Sequence, residues 1–498
     1  MERNNKILLI EPPFYRLYKD THSLNRYPLS LGYLAGMIRK ETNWSVMAYN
    51  ADFSSHSEPV KVSYLASTGF YNYLNNLKDL SGRVWGEIRS AISEYKPAIV
   101  GISAKSQNFA SACIVAKLAK EINRQIIVIV GGPHPSMVGS DVLNCSDIDV
   151  GVRGEGENTI IELLNAIDAQ KDFNDIKGIV YRKDGHINEN APREFIKNLD
   201  SLCFPHENVS EVLKDYEKYP VTAFRNIFAT RGCPNSCFFC GSHKIWSRKV
   251  RFRSPENVVK EIKSLQKMGL RAIHFDDDTF GINKQYINNL CNAIITHCPG
   301  LKWSCELHVN LVDEQTISLM KTAGCYSILI GIESGNNEIL REMRKNITIE
   351  KALSACEIIK KYGIELQAFF IIGFPQETED SLNDTIAAME KSKCDVIVYS
   401  IFTPYPCTEA FEFCKDNGLI TDDFDVSLYN HQSPANCFCI KINPERFRLL
   451  ASKIEKIVDK KNSIHRKKRV FSLNTIRKIQ NLGVGKSFQK GIRLFTGN

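Results

Sequence analysis

Residues 231–241 read R-G-C-P-N-S-C-F-F-C-G and set three thiols, Cys233, Cys237 and Cys240, on one short loop. Thiolates in a Cys-x3-Cys-x2-Cys run can converge on a soft-metal site. Three of them, not four, leave one iron of a cubane iron–sulfur cluster without a protein ligand. An open iron is a place for chemistry. The same thiols fit a zinc loop if a fourth ligand completes it, and His243 is near enough in sequence to keep that alternative open.

The elements that must position this loop are those of a two- or three-domain protein, since the chain has 498 residues. A hydrophobic content of 43% with 24% charged residues is that of a soluble globular chain. Sixteen cysteines spread over this length do not form a disulfide framework, and residues 1–6 are too polar for a signal peptide, so a reducing cytoplasm is expected. No apolar run is long enough to span a bilayer. The net charge of +8 is unevenly placed: residues 460–498 hold eleven Lys and Arg and no acid, while the rest is close to neutral.

Apolar runs at residues 6–11, 45–50, 98–103, 126–130 and 149–152 alternate with helical patterns at 29–40, 109–122 and 158–169. Strands alternating with helices of this length predict an α/β fold with a doubly wound parallel sheet, which binds ligands at the carboxyl ends of its strands. Those ends are rich in turn residues: Pro12-Pro13, Ser103, Gly131-Gly132-Pro133-His134-Pro135 and Gly154-Glu155-Gly156-Glu157. Residues 52–95 read as a polar, partly helical insertion over the sheet. Residues 178–188 read as a hairpin turning at Asp184-Gly185, within a linker that ends near Val221. From Asn226 the alternation resumes, with candidate strands at 272–275, 302–307, 326–332, 365–372 and 395–402. About six βα units fit, short of a full barrel.

The cysteine run, with Phe239 as the aromatic before its last thiol, resembles the signature of the radical SAM superfamily. The preceding module carries Y-P-L-S-L-G-Y-L-A at 27–35, G-G-P-H-P at 131–135 and V-R-G-E-G-E at 152–157. It resembles the cobalamin-binding domain of the cobalamin-dependent radical SAM enzymes. The resemblance implies a cobalamin-binding Rossmann-like domain over 1–172, a linker with hairpin over 173–221, and a radical SAM partial (β/α)6 TIM-type barrel over 222–425. A C-terminal extension with a helical basic tail follows over 426–498. It implies three cofactors: a 4Fe-4S cluster on Cys233, Cys237 and Cys240, S-adenosylmethionine, and cobalamin.

Residue by residue, the resemblance places S-adenosylmethionine near Phe239, Asp277 in D-D-D-T-F, Glu333 and Ser334 in G-I-E-S-G, and Gly373 in I-G-F-P-Q-E-T. It places cobalamin near Leu31, Gly32, Ser103, Gly131, Gly132, His134, Glu155 and Gly156. The Asp-x-His-x-x-Gly pattern of histidine-ligated cobalamin proteins is not met: D-T-H-S-L-N at 20–25 lacks the glycine, so His22 is a poor cobalt ligand. Without a strong lower ligand, cobalt releases its methyl group more easily as a radical. Cys407 stands in P-Y-P-C-T, where related enzymes read Pro-x-Pro-Gly-Thr. It is either a small packing residue or a cavity-facing catalytic thiol. Cys437 and Cys439 read as a structural pair on a strand.

The activity implied is C-methylation of an unactivated carbon, by hydrogen abstraction with a 5'-deoxyadenosyl radical and methyl transfer from methylcobalamin. The alternatives are a non-methylating reaction, such as oxidative cyclisation of the anaerobic porphyrin cyclase type, and a sensor that binds cluster and corrinoid without turnover. Implied partners are a small-molecule, lipid or peptide substrate and an electron donor such as flavodoxin or ferredoxin. No base-reading module is visible, so no nucleic acid is expected. The basic tail, with Arg466, Lys467, Lys468 and Arg469 before Val470, Phe471, Leu473 and Ile476, could bring a cytoplasmic protein to anionic lipid.

Overall fold

The apolar run K-I-L-L-I-E becomes β1 (Lys6–Glu11), whose side chains Ile7, Leu8, Leu9 and Ile10 are at most 2% exposed in a computed structural model that describes residues 4–470. Burial on both faces suits the centre of a parallel sheet and is worth roughly 1.5–3 kcal/mol per side chain. With β2 (Ser45–Asn50), β3 (Ile99–Ser103), β4 (Ile127–Gly131) and β5 (Val150–Val152) it forms five parallel strands in the order β2-β1-β3-β4-β5. The chain leaves β1 for β2 on one side and returns to β3 on the other. That reversal opens a crevice at the strands' carboxyl ends.

Two expectations change here. The hairpin forms as β6 (Ile179–Lys183) and β7 (His186–Glu189), but it extends the first sheet through antiparallel pairing with β5. Residues 52–95 are also more than an insertion. Helix Arg83–Tyr95 buries Val84, Trp85, Ile88, Ala91 and Ile92 in the core of the sheet, at helical spacing, and is the crossover between β2 and β3.

The second sheet begins with the two-residue β8 (Asn226–Ile227). The antiparallel pair β9 (Thr230–Arg231) and β10 (Arg251–Phe252) then closes the base of the cysteine loop. There follow β11 (Ala272–Phe280), β12 (Lys302–Leu307), β13 (Cys325–Glu333), β14 (Glu365–Ile372) and β15 (Val396–Ile401). All pairs are parallel in the order β8-β11-β12-β13-β14-β15, the expected six-stranded partial barrel. β11 runs further than expected, carrying Asp276, Asp277 and Asp278 inside the strand and so turning them to alternate faces.

An incomplete barrel leaves a strand edge to cover. Helix Pro444–Val470 covers β15: Asn462 donates Nδ2–H to the carbonyl of Ile397 (2.8 Å) and accepts its N–H at Oδ1 (2.9 Å). Phe447, Leu450, Ile454 and Val458 on that helix are buried. Arg466 and Lys467 lie toward its end, while Phe471, Leu473 and Ile476 of the basic tail lie outside the described residues. Among the described residues no helix is long and apolar enough to cross a membrane.

Candidate functional site

The carboxyl ends of the first sheet floor a cavity of about 400 Å³. Its floor is defined by absent side chains. A Cβ on Gly131 would meet only Val152, at 3.7 Å, and one on Gly154 would meet nothing within 4 Å, so a side chain at either position would occupy the cavity. Gly132 is required twice over, by φ +105° and because a Cβ would sit 2.9 Å from the Ala104 carbonyl oxygen. Leu31, Ser103, Glu155 and Gly156 also line the cavity, and the facing wall comes from Asn226 and Asp276 of the second sheet with Arg231 and Trp246 at the two ends of the cysteine loop region. A floor without side chains fits a large flat corrinoid, and the walls add charged groups at Glu11, Arg26, Asp52, Lys105 and Arg231.

Two residues expected at the cobalamin site are not on the lining of this cavity. Gly32 packs its helix onto the linker, where a Cβ would fall 2.6 Å from the Tyr27 hydroxyl and 2.7 Å from Pro205. His134 is buried outside the cavity lining, its Nδ1 3.0 Å from Ser106 Oγ and its ring 4.0 Å from that of Phe109, and burial lowers its pKa to about 4. Nδ1 of His22 lies 3.2 Å from the Glu58 carbonyl oxygen, also away from the cavity lining.

Glu155 lines the cavity, yet its carboxylate is committed to neighbours. It accepts from Arg231 Nη1 (2.7 Å), from Arg251 Nη1 (2.9 and 2.8 Å) and from the Ile196 N–H (2.7 Å). Glu157 accepts from Arg231 Nη2 at 2.6 Å, and the Arg231 guanidinium lies 5.2 Å from the Tyr33 ring and 5.0 Å from that of Trp246. All four charged residues are at most 9% exposed. Removing one member strands a buried charge at a cost of about 3–5 kcal/mol. This clamp ties the first sheet to the base of the cysteine loop. Sequence reasoning passed over Arg231 and Arg251, although Arg231 directly precedes Gly232-Cys233.

The loop leaves β9 through Gly232, whose φ is +106° and whose Cβ would lie 2.7 Å from the Lys249 carbonyl oxygen. Cys233, Cys237 and Cys240 are partly exposed. Thr279 Oγ1 and Asn235 Nδ2 lie 3.5 Å from Cys233 Sγ, and the Ser242 N–H donates to Cys240 Sγ at 3.5 Å. Burial pushes the Cys237 thiol up and the Cys240 thiol up to about 11. A cubane asks for thiolates on three separate irons. Among the described residues no three His, Cys, Asp or Glu side chains are close enough to share one ion.

Asp277 holds this loop up from below. Its carboxylate, 1% exposed, accepts from the Ala229 N–H (3.2 Å), the Thr230 N–H and the Thr230 hydroxyl (2.5 Å). Burial raises its pKa to about 7 despite those donors. The Asp277 carboxylate is thus spent on the backbone and hydroxyl beneath the loop. Asp276 lines the cavity, Asp278 accepts from the Ser242 hydroxyl, and Glu306 on the next strand is raised to about 7 by burial and then by Asp276 and Asp278.

Glu333 ends β13 at φ +68° and pairs with Lys345 Nζ at 2.7 Å. Both are nearly buried, and Lys345 acts electrostatically on Cys237. A Cβ on Gly331 would lie 2.2 Å from Glu333 Oε1, so the glycine makes room for the pair. Ser334 is fully buried, its Oγ 3.2 Å from Thr385 Oγ1. Gly373 donates its N–H to Glu377 Oε2 (2.6 Å) at φ +82°, against Phe447. Both residues act on the scaffold in these contacts. Cys407 is exposed at φ +60° and lines neither this cavity nor the one beside Phe239. That left-handed backbone is one that glycine adopts without strain. Cys437 and Cys439 lie outside any strand of the described residues.

Residues 227–389 match the family model of the radical SAM superfamily, and residues 23–164 match that of the B12 binding domain. The uncharacterized methyltransferase PH0819 of Pyrococcus horikoshii is 31% identical over 417 residues, covering 83% of this chain and 84% of its own. The chain belongs to the cobalamin-dependent radical SAM family. The anaerobic magnesium-protoporphyrin IX monomethyl ester cyclase of Rubrivivax gelatinosus is 30% identical to this family member over 70% of the chain, which spans 63% of the cyclase's length. The radical S-adenosylmethionine methyltransferase TsrM from Kitasatospora setae, solved with tryptophan substrate and a SAM analog bound, aligns with a TM-score of 0.68. That alignment covers 84% of this chain and 77% of TsrM at 16% identity, a likeness of fold. As a cobalamin-dependent radical SAM enzyme, the chain has a 4Fe-4S cluster, S-adenosylmethionine and cobalamin as its cofactors.

Proposed function

We propose that this enzyme is a C-methyltransferase acting on an unactivated carbon of a small molecule. The observation that carries the reading is the position of Arg231. It lines the strand-end cavity, and it stands two residues before the first cluster cysteine, so one clamped side chain couples the two cofactor sites. When bound, the cluster with S-adenosylmethionine supplies a hydrogen-abstracting radical, and the corrinoid supplies a methyl group.

The chain's own residues do the positioning. Cys233, Cys237 and Cys240 hold the cluster, and the Glu333–Lys345 pair with Asp276, Asp278 and Glu306 furnishes the polar face for S-adenosylmethionine. Leu31, Ser103, Gly131, Gly132, Gly154 and Gly156 cradle the corrinoid. Tyr33 and Trp246 flank Arg231 and keep the clamp dry, which strengthens its electrostatics. A one-electron donor such as flavodoxin or ferredoxin supplies the reducing equivalents. The basic tail resting on anionic lipid belongs to the same reading, and deletion of residues 460–498 should then abolish sedimentation with anionic vesicles.

Anaerobically reconstituted enzyme given methyl-labelled S-adenosylmethionine and a cell extract should place the label on a carbon of one extract component, detected by mass spectrometry. A second reading, oxidative ring closure, is favoured by the 30% identity to the cyclase. Deoxyadenosine formed without label transfer would select it.

A further inference from the structure

Helix Pro444–Val470 closes the barrel with one face and leaves the opposite face to solvent. The inner face is fully partnered. Phe447, Leu450, Ile454 and Val458 are buried, Lys461 donates from Nζ to the Met389 carbonyl at 2.7 Å and to that of Ser392, and His465 Nε2 lies 3.4 Å from Glu365. The outer face carries Leu449, Lys453, Lys456, Lys460, Ile464 and Lys467, all of them exposed. At about 100° per residue these six fall within an arc of roughly 80°, and about 27 Å separates the first from the last.

Two features of this row select its partner. Its charge is of one sign and uncompensated: no Asp or Glu of the helix falls within the arc, and among the described residues none of the four lysines has an ion pair or a side-chain hydrogen bond. Arg446, at the margin of the arc, is by contrast held by Glu379 at 2.8 Å. Like charges four positions apart destabilise a helix, as at Lys456 and Lys460, and an anionic surface would relieve them. The row is also bracketed by aliphatic side chains, Leu449 at 64% exposure and Ile464 at 48%. A planar anionic lipid surface satisfies both features, with the lysines at the headgroups and the two aliphatic tips entering the headgroup layer. A nucleic acid would use the lysines and not the tips, and the row has no aromatic side chain on which a base would stack.

We infer that the outer face of this helix is a docking surface for anionic lipid, with Lys453, Lys456, Lys460 and Lys467 on the headgroups and Leu449 and Ile464 as shallow anchors. The inference rests on the lipid contact of the proposed function and moves its seat from the tail onto a helix packed against the barrel. A bilayer met in this way lies along the β15 side of the barrel.

Deleting residues 460–498 removes half of this row together with the tail, so substitutions in the full chain must separate the two. Enzyme loaded with cluster and corrinoid is sedimented with vesicles of phosphatidylcholine alone and of an equal mixture with phosphatidylglycerol; it should bind the mixture and not the neutral lipid. Lys453→Glu, Lys456→Glu and Lys460→Glu combined should lower affinity at least tenfold. Leu449→Ser with Ile464→Ser should lower it roughly fivefold at unchanged charge. Arg477→Gln, Lys478→Gln, Lys486→Gln, Lys490→Gln and Arg493→Gln combined, a comparable change in net charge made in the tail, should leave binding within about threefold of wild type. Cluster and corrinoid spectra, and deoxyadenosine formation without lipid, unchanged in every variant, verify the fold. Undiminished binding in the lysine variant with binding lost in the tail variant would overturn this surface and leave the lipid reading standing. No binding of the wild type to the mixed vesicles would overturn both. Binding indifferent to the Leu449 and Ile464 substitutions, with an RNA duplex bound more tightly than the vesicles, would make the row a nucleic-acid surface and overturn the inference as well.

Discussion

The helices around the two sheets begin differently. In the barrel, Ser254, Asn283, Asp313, Asn336, Thr348, Thr378 and Thr408 each accept a backbone N–H of the helix they precede. Around the first sheet, the helices after Pro28, Asn108, Gly132 and Glu155 have no side-chain cap. A capping side chain is worth about 0.5–2 kcal/mol, so the first sheet forgoes stability at the edge where its cavity opens. The barrel instead keeps its helix ends self-sufficient and puts charge on its strands, at Asp276, Asp278, Glu306 and Glu333. The first edge has a floor bare of side chains at Gly131 and Gly154. The other carries the charged groups and the cysteine loop, and the clamp at Glu155 ties the two edges together.

Substitutions can break this contrast at graded cost. Cys233→Ala should abolish deoxyadenosine formation while corrinoid retention, read by absorbance, stays at the wild-type level; loss of both would mean that the two edges are not separately furnished. Glu155→Ala should do the reverse of separating them. It leaves Arg231 and Arg251 facing each other in a buried site, and chemical denaturation should register about 3–5 kcal/mol of lost stability. Gly131→Leu fills the cradle and should cut corrinoid affinity at least tenfold, with cluster content unchanged.

Glu377 tests the scaffold under the barrel edge. It is fully buried, with Oε1 unpaired, and burial raises its pKa to about 8. Its folded pKa is above the unfolded value of about 4.3, so the folded state binds the extra proton between those two pH values. Stability is therefore greatest below the lower value and is lost as pH rises through 8, with a slope of up to about 1.4 kcal/mol per unit. In Glu377→Gln, melting followed across pH 5 to 8 should show that slope removed. The smallest effect is expected at Cys407. Cys407→Gly relieves a left-handed residue and should stabilise by about 1 kcal/mol without altering turnover.

The parts of the molecule that were legible in the sequence are those written in local pattern. Uninterrupted apolar runs announced the parallel strands, and the thiol spacing announced the loop. Helix Arg83–Tyr95 falls in a stretch read as a partly helical insertion because its surroundings are polar, although the helical spacing of Val84, Ile88, Ala91 and Ile92 marks a core-facing crossover. The clamp could not be read locally, since Glu155 and Arg231 meet across 76 positions of chain. The packing of Asp277 was hidden for a related reason. Three consecutive aspartates look alike in sequence, but strand alternation turns the middle one away from its neighbours and under the loop. Ser334 sits in a motif position, yet its hydroxyl meets Thr385, a partner that only the fold supplies, while Gly373 donates to Glu377 within its own motif.

The account rests on one chain holding both cofactors at one junction, and a single anaerobic preparation tests that. After loading with iron, sulfide and a corrinoid, the protein is analysed for metals and by electron paramagnetic resonance with and without S-adenosylmethionine. The account predicts one cubane and one corrinoid per chain, with the reduced cluster signal shifted by the nucleotide. A preparation that takes up zinc in place of the cluster, leaves the signal unmoved and retains no corrinoid would contradict it.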